Sequence, residues 1–490
     1  MARPGAGARG RKGGRGMNEA VERRPYPLDF VGERSVTTQL SWGQQWVWDA
    51  LSNLPDGRHM CIDIVQPIAG EIGMRPEHAA RAVGALVNRF EALRTVFVED
   101  GEAPMGLRQK VLTSGTLPVE VWTVSRFDQT AAALVAAEMS QLDFAVRDLP
   151  FRAVILAEEG AARLVSLRMS HIVADMWSAA LLRTELRYEL GLTNPGEPIR
   201  RGSRDWQPVD QAEFEAGEMG RRVCDRSLQY WRKQMHRFPA TLFSRPSAPP
   251  DTPRYCEGRV SSRASFAAIH LLSRRYGRCS PPIVLMAAVI ALIGAWSGTA
   301  SVGLPVIVSN RHARRLQGLV GPLVEMGAVC VDVAGRRFEN IVRSTAQASL
   351  IAQRHGLYDI PRYRDLQAEV ARERGGRFEM SSYLNVRAWG DKPAVPQADG
   401  RAHRAILDLT EETSVTWNEG FESYNVKLGV LADLGSGVAR LTLRADTSAI
   451  PRRDVSALLD SLDPLLIAAL REEGLGQAGV ERIVARSRCR

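Results

Sequence analysis

The chain has 490 residues, 45% hydrophobic and 24% charged, a globular composition with room for two sizeable cores. The formal net charge of +9 sits mostly in the ends: residues 2–24 hold seven Arg or Lys against Glu19 and Glu22, and residues 471–490 hold five Arg against three Glu. Nucleic-acid binders concentrate basic charge on the fold, so this distribution argues against nucleic acid as a partner.

The opening, MARPGAGARGRKGGRG, is basic and Gly-rich with no apolar core, which excludes a secretory signal and predicts a disordered tail over residues 1–34. Met17 begins a more natural start. Residues 40–51, LSWGQQWVWDAL, read as a helix with a Trp/Leu face, and 76–100 as a helix running into a strand. Residues 150–170 read as a hairpin turning near Glu159-Gly160. In its second arm Val165, Leu167 and Met169 share one face, and Ser166, Arg168 and Ser170 the other. That parity puts His171 on the apolar side. From Met176 the period becomes helical through Trp177, Ala180, Leu181 and Thr184.

A polar stretch with Pro and Gly, 191–210, marks a boundary, and the linker is set at 196–225. A helix ending at 227–235 follows, then a loop at 244–253. The apolar run 283–296 is too short to span a bilayer and reads as a buried helix over 282–297, so no membrane is expected. A strand at 301–310, a helix near 338–354, a hairpin at 424–445 and a last helix near 452–471 complete the body, before a basic tail at 473–490. Helices and hairpins alternate in both halves, predicting an α/β fold with mixed sheets and two lobes, 35–195 and 226–472. The six cysteines form no C-x-x-C pair and no metal-ligand cluster. They read as reduced thiols of a cytoplasmic protein without a bound metal.

The chemistry-bearing stretch is SHIVADMWSAALL, 170–182. His171 alone reads as a satisfied turn histidine or as a base held by local structure. Asp175 alone reads as a helix N-cap or as a brace for the intervening turn. Spacing does not choose between these.

Context adds to it. Ser170-His171-Ile172-Val173-Ala174-Asp175-Met176-Trp177-Ser178 resembles the H-H-x-x-x-D-G motif of the condensation domains of nonribosomal peptide synthetases. Residues 40–48, 90–97, 148–156, 228–235, 301–311 and 319–333 resemble further segments of that family, in its order. The resemblance covers roughly 35–470 and leaves no room for an adenylation or carrier domain, so a free-standing enzyme is expected.

The resemblance implies two chloramphenicol-acetyltransferase-like lobes in a V-shaped pseudo-dimer with a central tunnel. It implies an acyltransferase of secondary metabolism. An acyl or peptidyl thioester on a carrier protein's phosphopantetheine would be joined to a small-molecule amine or hydroxyl acceptor, with no cofactor bound by the chain itself. His171 matches the active histidine, and Asp175 the structural aspartate, with Arg311 as its arginine partner. Ser170, Met176, Trp177 and Ser178 are expected to line the tunnel or pocket. A monomer is expected.

Three departures stand out. Ser170 replaces the motif's first histidine, Met176 its glycine, and Glu325 the asparagine of the F-V-N-T segment, here Leu323 to Met326. They keep open a non-catalytic module that recruits a partner enzyme or carrier protein. A relative that uses coenzyme A or releases chains is a further alternative.

Overall fold

Each half of the chain builds one large open mixed sheet in the computed structural model, and the N-terminal half adds a two-stranded and a three-stranded sheet. The structure describes residues 21–388 and 400–489, apart from 54–56, 146, 194–205, 245–248, 278, 377 and 473. The five-stranded sheet runs Glu22–Pro25, Val119–Val124, Phe151–Glu158, Ala161–Ser170, Cys61–Pro67. The seven-stranded sheet runs Glu325–Asp332, Ser301–Val308, Ser382–Ala388, Leu428–Gly435, Val438–Asp446, Tyr255–Ser262, Ser414–Phe421. Each large sheet mixes parallel with antiparallel pairs, as the alternation of helices and hairpins predicts. No helix among the described residues is long and apolar enough to cross a membrane.

The hairpins sit where turn chemistry puts them. Glu159 and Gly160, at φ 50° and 78°, turn the first one, and Ser436 and Gly437, at 52° and 76°, the second. Two adjacent positive φ values are what a tight hairpin turn needs. The strand carrying the motif, Ala161–Ser170, departs from half-solvated alternation. Its apolar face (Val165, Leu167, Met169) is buried, and so are Ser166, Arg168 and Ser170 opposite. The Arg168 guanidinium donates to Asp63 and to the carbonyls of Leu142, Arg58 and Ser140, which lets that face be covered as well. The run 283–296 lies in the helix Pro281–Ser297, which is buried along most of its length. Of the long final helix expected, the structure makes two, Arg452–Asp460 and Leu462–Arg471, with Ser461 between them.

The expected tails and linker are more ordered than their polarity suggests. Glu22–Pro25 and Leu28–Val31 are strands, so a tail cannot reach residue 34; residues 1–20 lie outside the described residues. The basic C-terminal segment forms the helix Gln477–Arg488, because Val480 and Val484 give it an apolar stripe to bury. Within 196–225, the helix Pro208–Ala216 is tethered: Asp210 pairs with Arg34, and the Gln207 amide oxygen accepts from the Glu91 N–H.

Both halves have their own core, and the helix Trp42–Ser52 joins them. Val47 packs in the N-terminal core, while Trp42 and Trp46 pack with Trp231, Tyr358 and Ile360 of the other half. Gly43 permits this seating. A Cβ there would lie 2.1 Å from the carbonyl oxygen of Pro322. In an ordinary helix interior, Gly→Ala stabilises by roughly 0.5–1 kcal/mol. Here the obstacle is backbone and cannot rotate away, so overpacking of about 1–3 kcal/mol prevails. Gly43→Ala is expected to lower the melting temperature, measured by circular dichroism; a rise would show that the helix does not sit tightly on Pro322.

Candidate active site

The motif strand ends at Ser170, and a tight turn follows before the helix Met176–Glu189. The N–H groups of Val173 and Ala174 donate back to the carbonyls of Ser170 and His171, closing that turn. The His171 N–H donates to the Met60 carbonyl (2.8 Å) and the Ser170 N–H to Pro150 (3.0 Å), so backbone holds the histidine from two sides. Buried Ile172, Val173 and Ala174 anchor the loop beneath.

Asp175 is the N-cap of the helix and is 0% exposed. Its Oδ1 accepts from the Ser178 N–H (2.7 Å) and Ser178 Oγ (2.8 Å), and its Oδ2 from the Leu323 N–H (3.1 Å). Arg311, 5% exposed, brings Nη2 to 2.9 Å from both carboxylate oxygens. The same nitrogen donates to the Gly321 carbonyl and Ser178 Oγ, while Nη1 donates to the carbonyls of Leu316 and Leu319. Ser178 Oγ also accepts from the Gly321 N–H. The two readings of Asp175 are therefore one: it caps the helix and braces the turn. Burial alone would raise the Asp175 pKa, but the Arg311 charge and the Ser178 hydrogen bonds outweigh it and hold the carboxyl below its ordinary range.

His171 is partly exposed. Its Nδ1 is buried without a hydrogen-bond partner among the described residues. Burial pushes the imidazole below its ordinary pKa. The backbones of His171 and Ala174, in contacts short of hydrogen-bond geometry, and the Asp175 charge favour the protonated form without offsetting burial. The ring is thus neutral at neutral pH, the state a general base requires.

The remaining expected residues scatter around this pair. Ser170 is buried, on the strand face opposite the His171 parity. Met176, the first residue of the helix, is 57% exposed. Trp177 donates from its indole to the Gln317 carbonyl (3.0 Å) and lies against Arg311, so it spans the two halves. Ser178 is buried inside the ion-pair network. Sequence reasoning missed the strap Gly321–Leu323, whose backbone completes the network; backbone donors leave no side-chain signature. A cavity of about 930 Å³ lined by Leu407, Ile467 and Arg486 lies in the C-terminal half and includes none of these residues. No cluster of metal-ligating side chains occurs among the described residues.

Comparisons with known proteins bear on the same region. Residues 35–392 match the family model described as condensation domain. The phosphinothricin tripeptide synthetase PhsC of Streptomyces viridochromogenes is 28% identical over 357 residues, 69% of this chain and 31% of PhsC. The cyclosporin synthetase of Tolypocladium inflatum is 26% identical over 384 residues, 74% of this chain and 2% of that protein. The chain thus spans less than a third of these relatives. Among solved structures, the condensation domain that mediates chain release from the enacyloxin polyketide synthase superposes with a TM-score of 0.68 at 17% identity, covering 88% of this chain and 82% of that one. SgcC5 from Streptomyces globisporus superposes with a TM-score of 0.64 at 18% identity, covering 90% and 100%. These likenesses establish the fold.

Removing one partner of a buried ion pair leaves the other charge uncompensated, at a cost of about 3–5 kcal/mol. Asp175→Ala and Arg311→Ala are each expected to lose about that much stability in chemical denaturation. Ser178→Ala, which removes only a hydroxyl, is expected to lose about 1–3 kcal/mol. Wild-type stability in both charge variants would show that the pair does not hold the fold.

Proposed function

The chain belongs to the condensation-domain family, and from that membership we propose that it is an acyltransferase with His171 as its base. The donor is an acyl or peptidyl thioester on the phosphopantetheine arm of a carrier protein; the acceptor is a small-molecule amine or alcohol. The acceptor N or O bonds to the thioester carbonyl, the C–S bond breaks, and the acceptor proton passes through His171 to the departing thiolate. The observation that carries this reading is the neutral, partly exposed imidazole on a turn that a buried ion pair holds in place. Asp175 and Arg311 are positioning residues, and Met176 and Trp177 present exposed apolar surface near the histidine's turn. The free cysteines fit a protein working in a reducing compartment such as the cytoplasm. Intact-mass spectrometry of candidate acyl-carrier proteins, with and without the enzyme and acceptor, tests the reading: acyl loss from the carrier with product formation supports it.

One observation favours a second reading, a non-catalytic module that recruits a partner. Exposed Met176 and Trp177 put apolar surface beside the motif, with Met176 where the family keeps glycine. Carrier binding without acyl transfer, equal in wild type and His171→Ala, would support it.

Acceptor chemistry sets the task of His171. An α-amine has a pKa of about 7.7–8, so much of it is neutral near pH 7 and mainly needs positioning. An alcohol needs a base, worth about 10²–10⁴-fold. His171→Ala is expected to lose about that much ester formation while keeping measurable amide formation. With a hydroxy acceptor, wild-type kcat is expected to fall only as pH drops through a value below the ordinary 6.5, because burial lowers the pKa. An acid limb above 6.5, or equal rates in wild type and variant with both acceptors, would remove His171 as the base.

Met176 offers a separate test. Met176→Gly is expected to admit bulkier acyl donors and to slow the native one, read by competition between short and bulky carrier thioesters. An equal gain on every donor would make Met176 an obstruction instead of a shaping residue.

A further inference from the structure

Two buried carboxylates take no part in the chemistry above. Glu215 lies in the last turn of the helix Pro208–Ala216, and Glu325 opens the strand Glu325–Asp332. They are 4% and 0% exposed. Glu215 accepts from the Trp42 backbone N–H (2.7 Å) and from Gln211 Nε2 (2.7 Å). Glu325 Oε2 accepts from the Tyr358 N–H (3.3 Å), while its Oε1 is buried with no hydrogen-bond partner among the described residues. A third carboxylate, Asp359, caps the helix Ile360–Glu373 and accepts from Gln45 Nε2 (3.3 Å). Gln45 in turn accepts from the Ile360 N–H (3.1 Å). Glu215, from the linker, and Asp359, from the C-terminal half, thus bind the helix Trp42–Ser52 of the N-terminal half, and Glu325 lies close enough to both acids to feel their charge.

No cation among the described residues compensates Glu215 or Glu325. Neither forms an ion pair among the described residues; Arg362 pairs with Asp225, and Arg364 with Asp49. From the helix Glu218–Arg237 the cluster meets Cys224, whose Sγ accepts from the Asp359 N–H and whose thiol burial pushes up to about 11. Tyr358 stands beside Glu325, its phenol held well above its ordinary range by burial, and Tyr363 packs against Tyr358. The thiol and both phenols stay neutral through the physiological range. A negative charge here would lack water and a cation; the N–H donors to Glu215 and Glu325 favour the charged form but do not offset burial.

We propose that Glu215 and Glu325 form a proton-held clasp between the two halves: as neutral carboxyls they let the helix Trp42–Ser52 seat against the C-terminal half, and their ionisation loosens that seat. The clasp adjoins the site through the chain itself. Glu325 lies two residues beyond Leu323, whose N–H holds Asp175, and Gly43 presses on Pro322 next to it. Glu215 and Glu325 are therefore positioning residues, and the inference stands whether or not His171 is the base.

The direction in pH follows. Burial pushes Glu215 up to about 8; burial, then the nearby Glu215 charge, pushes Glu325 well above the carboxylate range. Below about pH 4.5 the acids are protonated in both the folded and unfolded chains and contribute nothing. Between there and the raised folded values, only the unfolded chain ionises, so stability falls as pH rises. The folded clasp itself begins to charge near pH 8.

Hydrogen exchange tests this on the full-length wild-type chain, following peptides over residues 41–48 and 321–326 from pH 6 to 10 and correcting for the intrinsic base-catalysed rate. Corrected protection is expected to fall from pH 6 upward by up to about tenfold per unit for each linked proton, with the Glu215 share levelling off near pH 8. Glu215→Gln, which keeps the shape of the neutral acid, is expected to flatten that fall, as is Glu325→Gln. If Glu325→Gln does not fold, Glu215→Gln and the wild-type series still decide. Constant corrected protection in wild type, or an unchanged fall in Glu215→Gln, overturns the proposal.

Discussion

The Asp175 carboxylate and the Arg311 guanidinium meet out of contact with water, 136 residues apart in the chain, and the arrangement around His171 depends on that meeting. Desolvating two charges costs several kcal/mol per ion, and attraction repays this only when the remaining hydrogen-bonding capacity is also satisfied. Here it largely is. Both Asp175 oxygens have further donors, Ser178 and the Leu323 N–H, and both Arg311 terminal nitrogens have carbonyl acceptors. One contact thereby joins the histidine's turn, the motif helix and the strap Gly321–Leu323 of the other half. It fixes the imidazole by holding what surrounds it.

The protein treats its buried acids in two opposite ways at this junction. Asp175 is given a cation and stays ionised; Glu215 and Glu325 are given none, and their pKa values rise. The consequences for pH oppose each other. The Asp175 contribution is present above the unfolded carboxylate pKa and is lost as pH falls through the depressed folded value. That of the glutamates is a penalty that grows as pH rises toward their raised values. The junction is therefore held most firmly on the mildly acidic side of neutral, where Asp175 is charged and the glutamates are not.

Local patterning was legible in the sequence wherever one face of an element decided its fate. The hairpin around Glu159-Gly160, the buried helix Pro281–Ser297 and the helix Phe338–Arg354 all follow from period and turn residues. Polarity misled at the ends, because Val480 and Val484 bury a helix whose other faces are arginine-rich. It misled again at Arg168, which alternation assigned to a polar face and which burial satisfies with backbone carbonyls. At the site, H-x-x-x-D spacing is a weak signal: it left the base reading of His171 open beside the commoner one, a satisfied turn residue. The pairing of Asp175 with Arg311 came from family resemblance, since nothing local ties residues so distant. Glu325 was visible as a departure from the family pattern. Its partner Glu215 was not, because residues 110 positions apart in the chain come near each other only in the fold.

The central claim is that Asp175 and Arg311 act as one unit. A double-mutant cycle on unfolding free energy, using Asp175→Ala, Arg311→Ala and the double variant, tests it most directly. Residues in one ion-pair network show coupling of about 0.5–3 kcal/mol, and this pair is predicted to reach the upper part of that range, the double variant being far less damaged than the sum of the singles. Additive losses, with coupling near zero, would contradict the account.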